Sequence, residues 1–166
     1  MTEANAGVTR QRRQLVAGVK GSLRELRVAL ALLNHRVGTR VELKDVDLDC
    51  LDILGRQGPL SPSGLARLAG LHPATITGIL DRLERGGWVV RERAAGDRRA
   101  VNVHIVPGRN AEIFRQYAGM NTLMDELCDG YSDAELELII DFLRRSGAAG
   151  QQATDLLTSE QAFPAG

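Results

Sequence analysis

Residues 61–87 read SPSGLARLAGLHPATITGILDRLERGG, and no other stretch limits the fold so tightly. Ser61-Pro62 is a helix start. The serine hydroxyl can accept an N–H that the first turn leaves unpaired, and proline at the first helical position has none to leave. That helix bears Leu65 and Leu68 on its inner side and stops at Gly70. Only Leu71 and His72 intervene before Pro73 opens the next, with Ile76, Leu80 and Leu83 inward and Gly86-Gly87 closing it. WVVRER follows, then small turn residues, then AVNVHIV with Val101, Val103 and Ile105 alternating, the pattern of a β-hairpin. Two short helices about a tight glycine-containing turn, followed by a hairpin, make a helix-turn-helix with a wing.

The flanks are helical. Leu15, Val19, Leu23, Leu26, Leu30 and Leu33 recur in an alternating four-and-three spacing that draws one long seam, ending near Gly38. A small domain cannot cover so long a seam, so a partner helix is expected. Asp47 or Asp49 can cap a second helix carrying Leu48, Leu51, Ile53 and Leu54 up to Gly58-Pro59, while Glu42 and Asp45 decorate the loop before it. Helical periodicity returns at Ile113, Tyr117, Met120, Met124 and Leu127, and again at Leu136, Ile139, Ile140 and Leu143. After Gly150 only Leu156-Leu157 is apolar, which suits a short helix and a frayed end. The expected order is α-α-α-α-β-β-α-α: mainly α with a small β-hairpin wing, an α+β class. Residues 11–44 hold the first long helix and a linker, 45–107 the winged domain and 108–160 the C-terminal helices, with loose tails at 1–10 and 161–166.

Hydrophobic residues at 43% and charged ones at 25% suit a soluble globular chain. The densest apolar run, VALALL at 28–33, is far too short to span a bilayer and is not placed as a secretory signal, so the cytosol is expected and no membrane partner. In a reducing compartment Cys50 and Cys128 are expected as free buried thiols. His35 and His104 have no metal-binding partner at ligand spacing on the same element, so no metal is expected. No nucleophile–base pair, phosphate loop or HExxH motif appears, so neither an enzyme nor a cofactor is expected.

The chain is neutral overall, but its charge is segregated. Nine arginines face four acids between Arg56 and Arg109, a net +5. From Leu123 to Gln161 nine acids face Arg144 and Arg145, a net −7. A basic middle and an acidic end suit different partners. Rotating the helix after Pro73 by 100° per residue puts Ala74, Gly78, Asp81 and Arg85 opposite its apolar stripe, with Thr75 and Arg82 on one edge and Thr77 on the other. Small residues let a helix settle deep in the DNA major groove, and threonine offers both a hydroxyl and a methyl to base edges. Arg82 and Arg85 suit bases or phosphates, and the helix N-terminus suits a backbone phosphate. Ser61 and His72, at the two helix starts, complete the candidate DNA-contacting set.

The run LARLAGLHPATITGILDRLERGGWVVRERAAGDRRAVNVHI resembles the MarR family of bacterial transcription regulators, and the flanking helices fit the same plan. Thr75-Ile76-Thr77, Asp81-Arg82-Leu83-Glu84, the Gly87 turn and the D-x-R of Asp97 and Arg99 carry the resemblance. It implies a homodimer in which the helix of 11–44 and the helices of 108–160 are dimerisation helices that intertwine, gripping a pseudo-palindromic operator in double-stranded DNA. It also implies that Arg99 enters the minor groove with Asp97 holding it, and that Arg98 meets phosphate or solvent. An effector pocket between the dimerisation helices and the DNA lobe would involve His35, Arg36 or residues of the second and fifth helices. The chain departs from the family pattern in three places. Gly78 stands where many relatives are basic, Ile105-Val106-Pro107-Gly108-Arg109 replaces the usual approach to the fifth helix, and Cys50 does not sit where peroxide-sensing relatives carry their cysteine. The function expected is a DNA-binding regulator, a repressor modulated by a small molecule. A winged-helix protein-interaction module and a thiol- or metal-responsive sensor on the same scaffold remain as alternatives.

Overall fold

A computed structural model describes residues 2–93 and 101–161 of the chain. The elements are α1 (Thr2–Val41), α2 (Asp45–Gln57), α3 (Pro62–Ala69), α4 (Pro73–Arg85), β1 (Val89–Arg93), β2 (Val101–Ile105), α5 (Arg109–Gln116), α6 (Ala118–Cys128) and α7 (Asp133–Gln161). They divide into two compact units after Tyr117.

The first unit is the winged domain. α2, α3 and α4 close on one core of Leu48, Leu51, Leu54, Leu65, Ile76, Ile79, Leu80 and Leu83, sealed by Trp88, Val89 and Val103 of the wing. β1 and β2 pair antiparallel, with Val89 opposite Ile105 and Arg91 opposite Val103. Leu60 adds a bridge to Val103, its N–H and carbonyl both bonded there, so the hairpin is stitched to the segment just before α3. Leu68 does not join this core: it is 44% exposed. The helix stops at Gly70, whose left-handed conformation (φ 64°) turns Leu71 inward against the core instead.

α1 differs from the sequence reading at both ends. It is helical from Thr2, where a loose tail was expected, and it passes Gly38 to reach Val41. Gly38 is a place of close approach rather than a stop, because a Cβ there would lie 2.6 Å from the Leu43 carbonyl oxygen. The turn comes at Glu42, which holds the left-handed conformation (φ 58°) and lets the Leu43 N–H return to the Gly38 carbonyl at 2.9 Å. The cap of α2 is also displaced. Lys44 is the N-cap, and Asp47 reaches back from the third helical position to accept its N–H at 3.0 Å.

The helical run from Ile113 to Leu127 is two helices, parted at Tyr117. There the N–H bonds the Phe114 carbonyl three residues back, and the phenol donates to Asn34 Oδ1 of α1 at 2.5 Å. In the second unit, Glu135 accepts both the backbone N–H and the hydroxyl of Ser132 and so fixes the start of α7, which lowers its pKa. α7 then continues to Gln161, where a short helix and a frayed end were expected after Gly150.

Within the single chain, long apolar seams stay uncovered. Leu15 is 65% exposed, and Val19, Leu26 and Leu30 follow it along α1. On α6 and α7, Leu123, Leu127, Leu138 and Leu143 are likewise exposed. Each large aliphatic side chain left in water forfeits about 1.5–3 kcal/mol available from burial, so both seams favour a partner. No helix among the described residues is long and apolar enough to cross a membrane.

Candidate nucleic-acid interface

The turn between α3 and α4 is fixed by its caps. Ser61 Oγ accepts the Gly64 N–H at 3.1 Å, and His72 Nδ1 accepts the Ala74 N–H at 3.3 Å. With Nδ1 occupied as an acceptor, a neutral His72 ring carries its proton on Nε2, the nitrogen left for an outside acceptor. Both residues therefore build the motif before they touch anything else.

α4 presents the face read from its periodicity. Ala74, Thr75, Thr77, Gly78, Asp81 and Arg85 are exposed, whereas Ile76, Ile79, Leu80 and Leu83 are buried. Thr77 gives its proton to the Pro73 carbonyl at 3.1 Å, leaving its methyl and lone pairs outward. At Gly78 a Cβ would meet nothing within 4 Å, so the free protein does not itself require glycine there. Among the described residues Arg85 spends only Nε, on the Asp81 carbonyl at 3.1 Å.

Arg82 is not part of this face. Its Nε donates to Asp47 Oδ2 at 2.9 Å and its terminal nitrogen to Oδ1 at 2.5 Å, a two-pronged pair onto a carboxylate that is 0% exposed. Asp47 in turn does more than serve the cap: it holds the start of α2 and the middle of α4 with one side chain. Arg82 sits at the edge of its helix, and a long side chain at an edge swings toward a buried acid when one is in reach.

Asp81, the acid on the outer face, also has a partner that periodicity did not reveal. Arg91 of β1 donates to Asp81 Oδ1 at 2.7 Å and to Glu84 Oε2 at 2.6 Å, bracing the wing against α4. This covers two carboxylates that would otherwise repel a phosphate backbone. Arg56 pairs with Asp52, and Arg109 with Glu112. Four arginines of the basic middle are thus committed to internal pairs. Asp97, Arg98 and Arg99 lie outside the described residues.

This geometry has close counterparts. Residues 43–101 match the MarR family. The uncharacterized HTH-type transcriptional regulator YcgE of Bacillus subtilis is 30% identical over 123 residues, covering 74% of this chain and 80% of its own. The chain belongs to the MarR family. It is also similar to the HTH-type transcriptional regulator PecS of Dickeya dadantii, 32% identical over 90 residues, 52% of this chain and 54% of PecS. In fold it resembles a MarR family protein from Bacillus stearothermophilus, with a TM-score of 0.66 at 21% identity over 84% of this chain and 97% of that one.

The remaining candidates of this MarR chain lie on the α1 side. His35 Nδ1 is 3.4 Å from Asp45 Oδ1 of α2, and Arg36 beside it is exposed. Asp45, Asp49 and Asp52 recur on one side of α2; burial, then the two neighbouring charges, raise the Asp49 pKa. Burial also raises the Tyr117 phenol, with Asp49 next in effect.

Cys50 is 0% exposed, and burial, reinforced by Asp47 and Asp49, pushes its thiol up to about 11. A thiol so placed carries little thiolate near neutral pH and is out of reach of an oxidant. In native protein at pH 8 a disulfide reagent is expected to label Cys128, which is half-buried, and to leave Cys50 unmodified until denaturant is added. Rapid labelling of Cys50 in the native state, read by peptide mass, would refute that placement. Among the described residues no group of three side chains could hold a metal ion.

Proposed function

We propose that the chain is a homodimeric repressor that reads a pseudo-palindromic operator in double-stranded DNA. α4 of each copy lies in the major groove, and the wing, residues 91–103, follows the minor groove. The observation that carries the reading is the outer face of α4. Its small, hydroxylic leading end of Ala74, Thr75, Thr77 and Gly78 is exposed on a helix whose other side is locked by core packing and by Asp47. Pairing of copies is supported by the uncovered seams of α1 and α7 and by their opposite charge. The repressor mode is supported by a relative, YetL of Bacillus subtilis, described as an HTH-type transcriptional repressor, 31% identical over 84 residues. A small-molecule effector acts near His35 and Arg36, where α1 meets the start of α2.

In the wing, Arg99 is the minor-groove probe and Asp97 aims it, since a narrow minor groove concentrates negative potential and a pre-held arginine loses less freedom on entering. Arg98 meets phosphate. Selection of duplexes from a randomised pool, followed by a binding titration at several salt concentrations, tests the whole reading. Wild-type protein is expected to enrich a two-fold-related site and to lose affinity steeply as salt rises. Arg99→Ala is expected to weaken binding and flatten the salt slope by about one unit. An unchanged slope in that variant would remove Arg99 from the contact set. A pool with no enriched sequence would favour a protein-binding winged helix instead.

A further inference from the structure

Arg109 opens α5 at the place where this chain departs from the family pattern. Its guanidinium lies over Trp88, with Cζ 3.8 Å from the ring centroid. One terminal nitrogen donates to the Gly86 carbonyl at 3.0 Å and the other to Glu112 at 2.5 Å. Nε is buried without an acceptor among the described residues. Gly86 caps the end of α4, and a Cβ on it would fall 2.8 Å from the indole, so the ring needs that bare backbone. The Trp88 carbonyl in turn accepts the Val106 N–H at 2.9 Å, just past β2. The end of α4, the root of the wing and the start of α5 therefore meet on one side chain.

An arginine kept for phosphate would hold its donors outward. Here the cation over the indole and both terminal nitrogens are engaged within the protein, and the guanidinium sits at the carbonyl end of α4, where the helix dipole favours it. The geometry points to Arg109 as a positioning residue: it locks the wing root to the end of the reading helix and touches no DNA. This rests on the DNA-binding reading above. A wing and helix already fixed to each other lose less freedom on docking, so freeing the root lowers affinity without removing any phosphate contact.

Trp88 is the only tryptophan in the chain, so its emission reports on the stack directly. The test uses the full chain and a duplex enriched by the wild-type protein from a randomised pool. It compares Arg109→Gln, Arg109→Lys and Glu112→Gln for affinity, salt slope, Trp88 emission and thermal unfolding. Arg109→Gln is expected to shift the emission and weaken binding about five- to tenfold with the salt slope unchanged. Arg109→Lys, which keeps a cation over the ring, is expected to retain more affinity than Gln, and Glu112→Gln to show a smaller loss in the same direction. A folded Arg109→Gln that binds like wild type overturns the inference, and so does a slope reduced by about one unit, which would make Arg109 a phosphate contact. If Arg109→Gln does not fold, wild-type affinity in Glu112→Gln overturns it. A wild-type protein that enriches no duplex overturns the DNA-binding reading itself.

Discussion

Asp47→Ala is expected to cost about 3 kcal/mol of folding stability, which for a chain of this size lowers Tm by roughly 10 °C. The carboxylate is fully buried and accepts three hydrogen bonds, two from Arg82 and one from the Lys44 backbone. Deleting it leaves the start of α2 uncapped and Arg82 without its partner in the core. The cost stays at the lower end for a broken buried pair because Arg82 is 34% exposed and can extend into water. Arg82→Ala is expected to cost at least as much, since the stranded carboxylate has no such escape. The double substitution should cost clearly less than the two single losses added together. Denaturant unfolding at one fixed protein concentration checks this. A single-variant loss below about 0.5 kcal/mol, the usual range for surface changes, would show that the pair does not hold α4 in place.

Gly78→Glu is expected to separate folding from binding. Nothing lies within 4 Å of the new Cβ, and glutamate forms helix better than glycine by about 0.5–1 kcal/mol, so the variant should be no less stable than wild type. On the outer face of α4, however, a bulky anion would meet the wall of the major groove. Like-charge contact of that kind costs several kcal/mol, which corresponds to a loss of at least about a hundredfold in affinity for an enriched duplex. Gly78→Lys at the same position is expected to bind at least as tightly as wild type. Retained affinity in a folded Gly78→Glu protein would mean that α4 faces something other than DNA.

The parts of the fold that were legible from residue order are those written in short-range chemistry. Ser61-Pro62, Gly70, His72-Pro73 and Gly86-Gly87 are local devices, and each capped or turned the chain where it stood. The exposed face of α4 follows from 100° per residue alone. What stayed hidden depends on partners far along the chain. Asp47 and Arg82 are 35 positions apart, and periodicity tells which side of a helix a residue occupies but not which buried acid lies within reach of an edge. Arg91 and Arg109 counted toward the basic charge of the middle segment, and residue order did not reveal that both are paired inside the protein. Gly38 was misread because a glycine needed for close packing and one needed to end a helix look alike in sequence. Tyr117 likewise interrupts a continuous apolar period through a bond to Asn34 on α1, which no pattern within the helix encodes.

The central claim is that two copies present two α4 helices to one face of a duplex. Hydroxyl-radical footprinting of the wild-type protein on an enriched duplex tests it most directly. Two protected patches related by two-fold symmetry are expected, centred about one helical turn, roughly 34–36 Å, apart. A single patch of protection, or none on a duplex the protein retains in a titration, would contradict it.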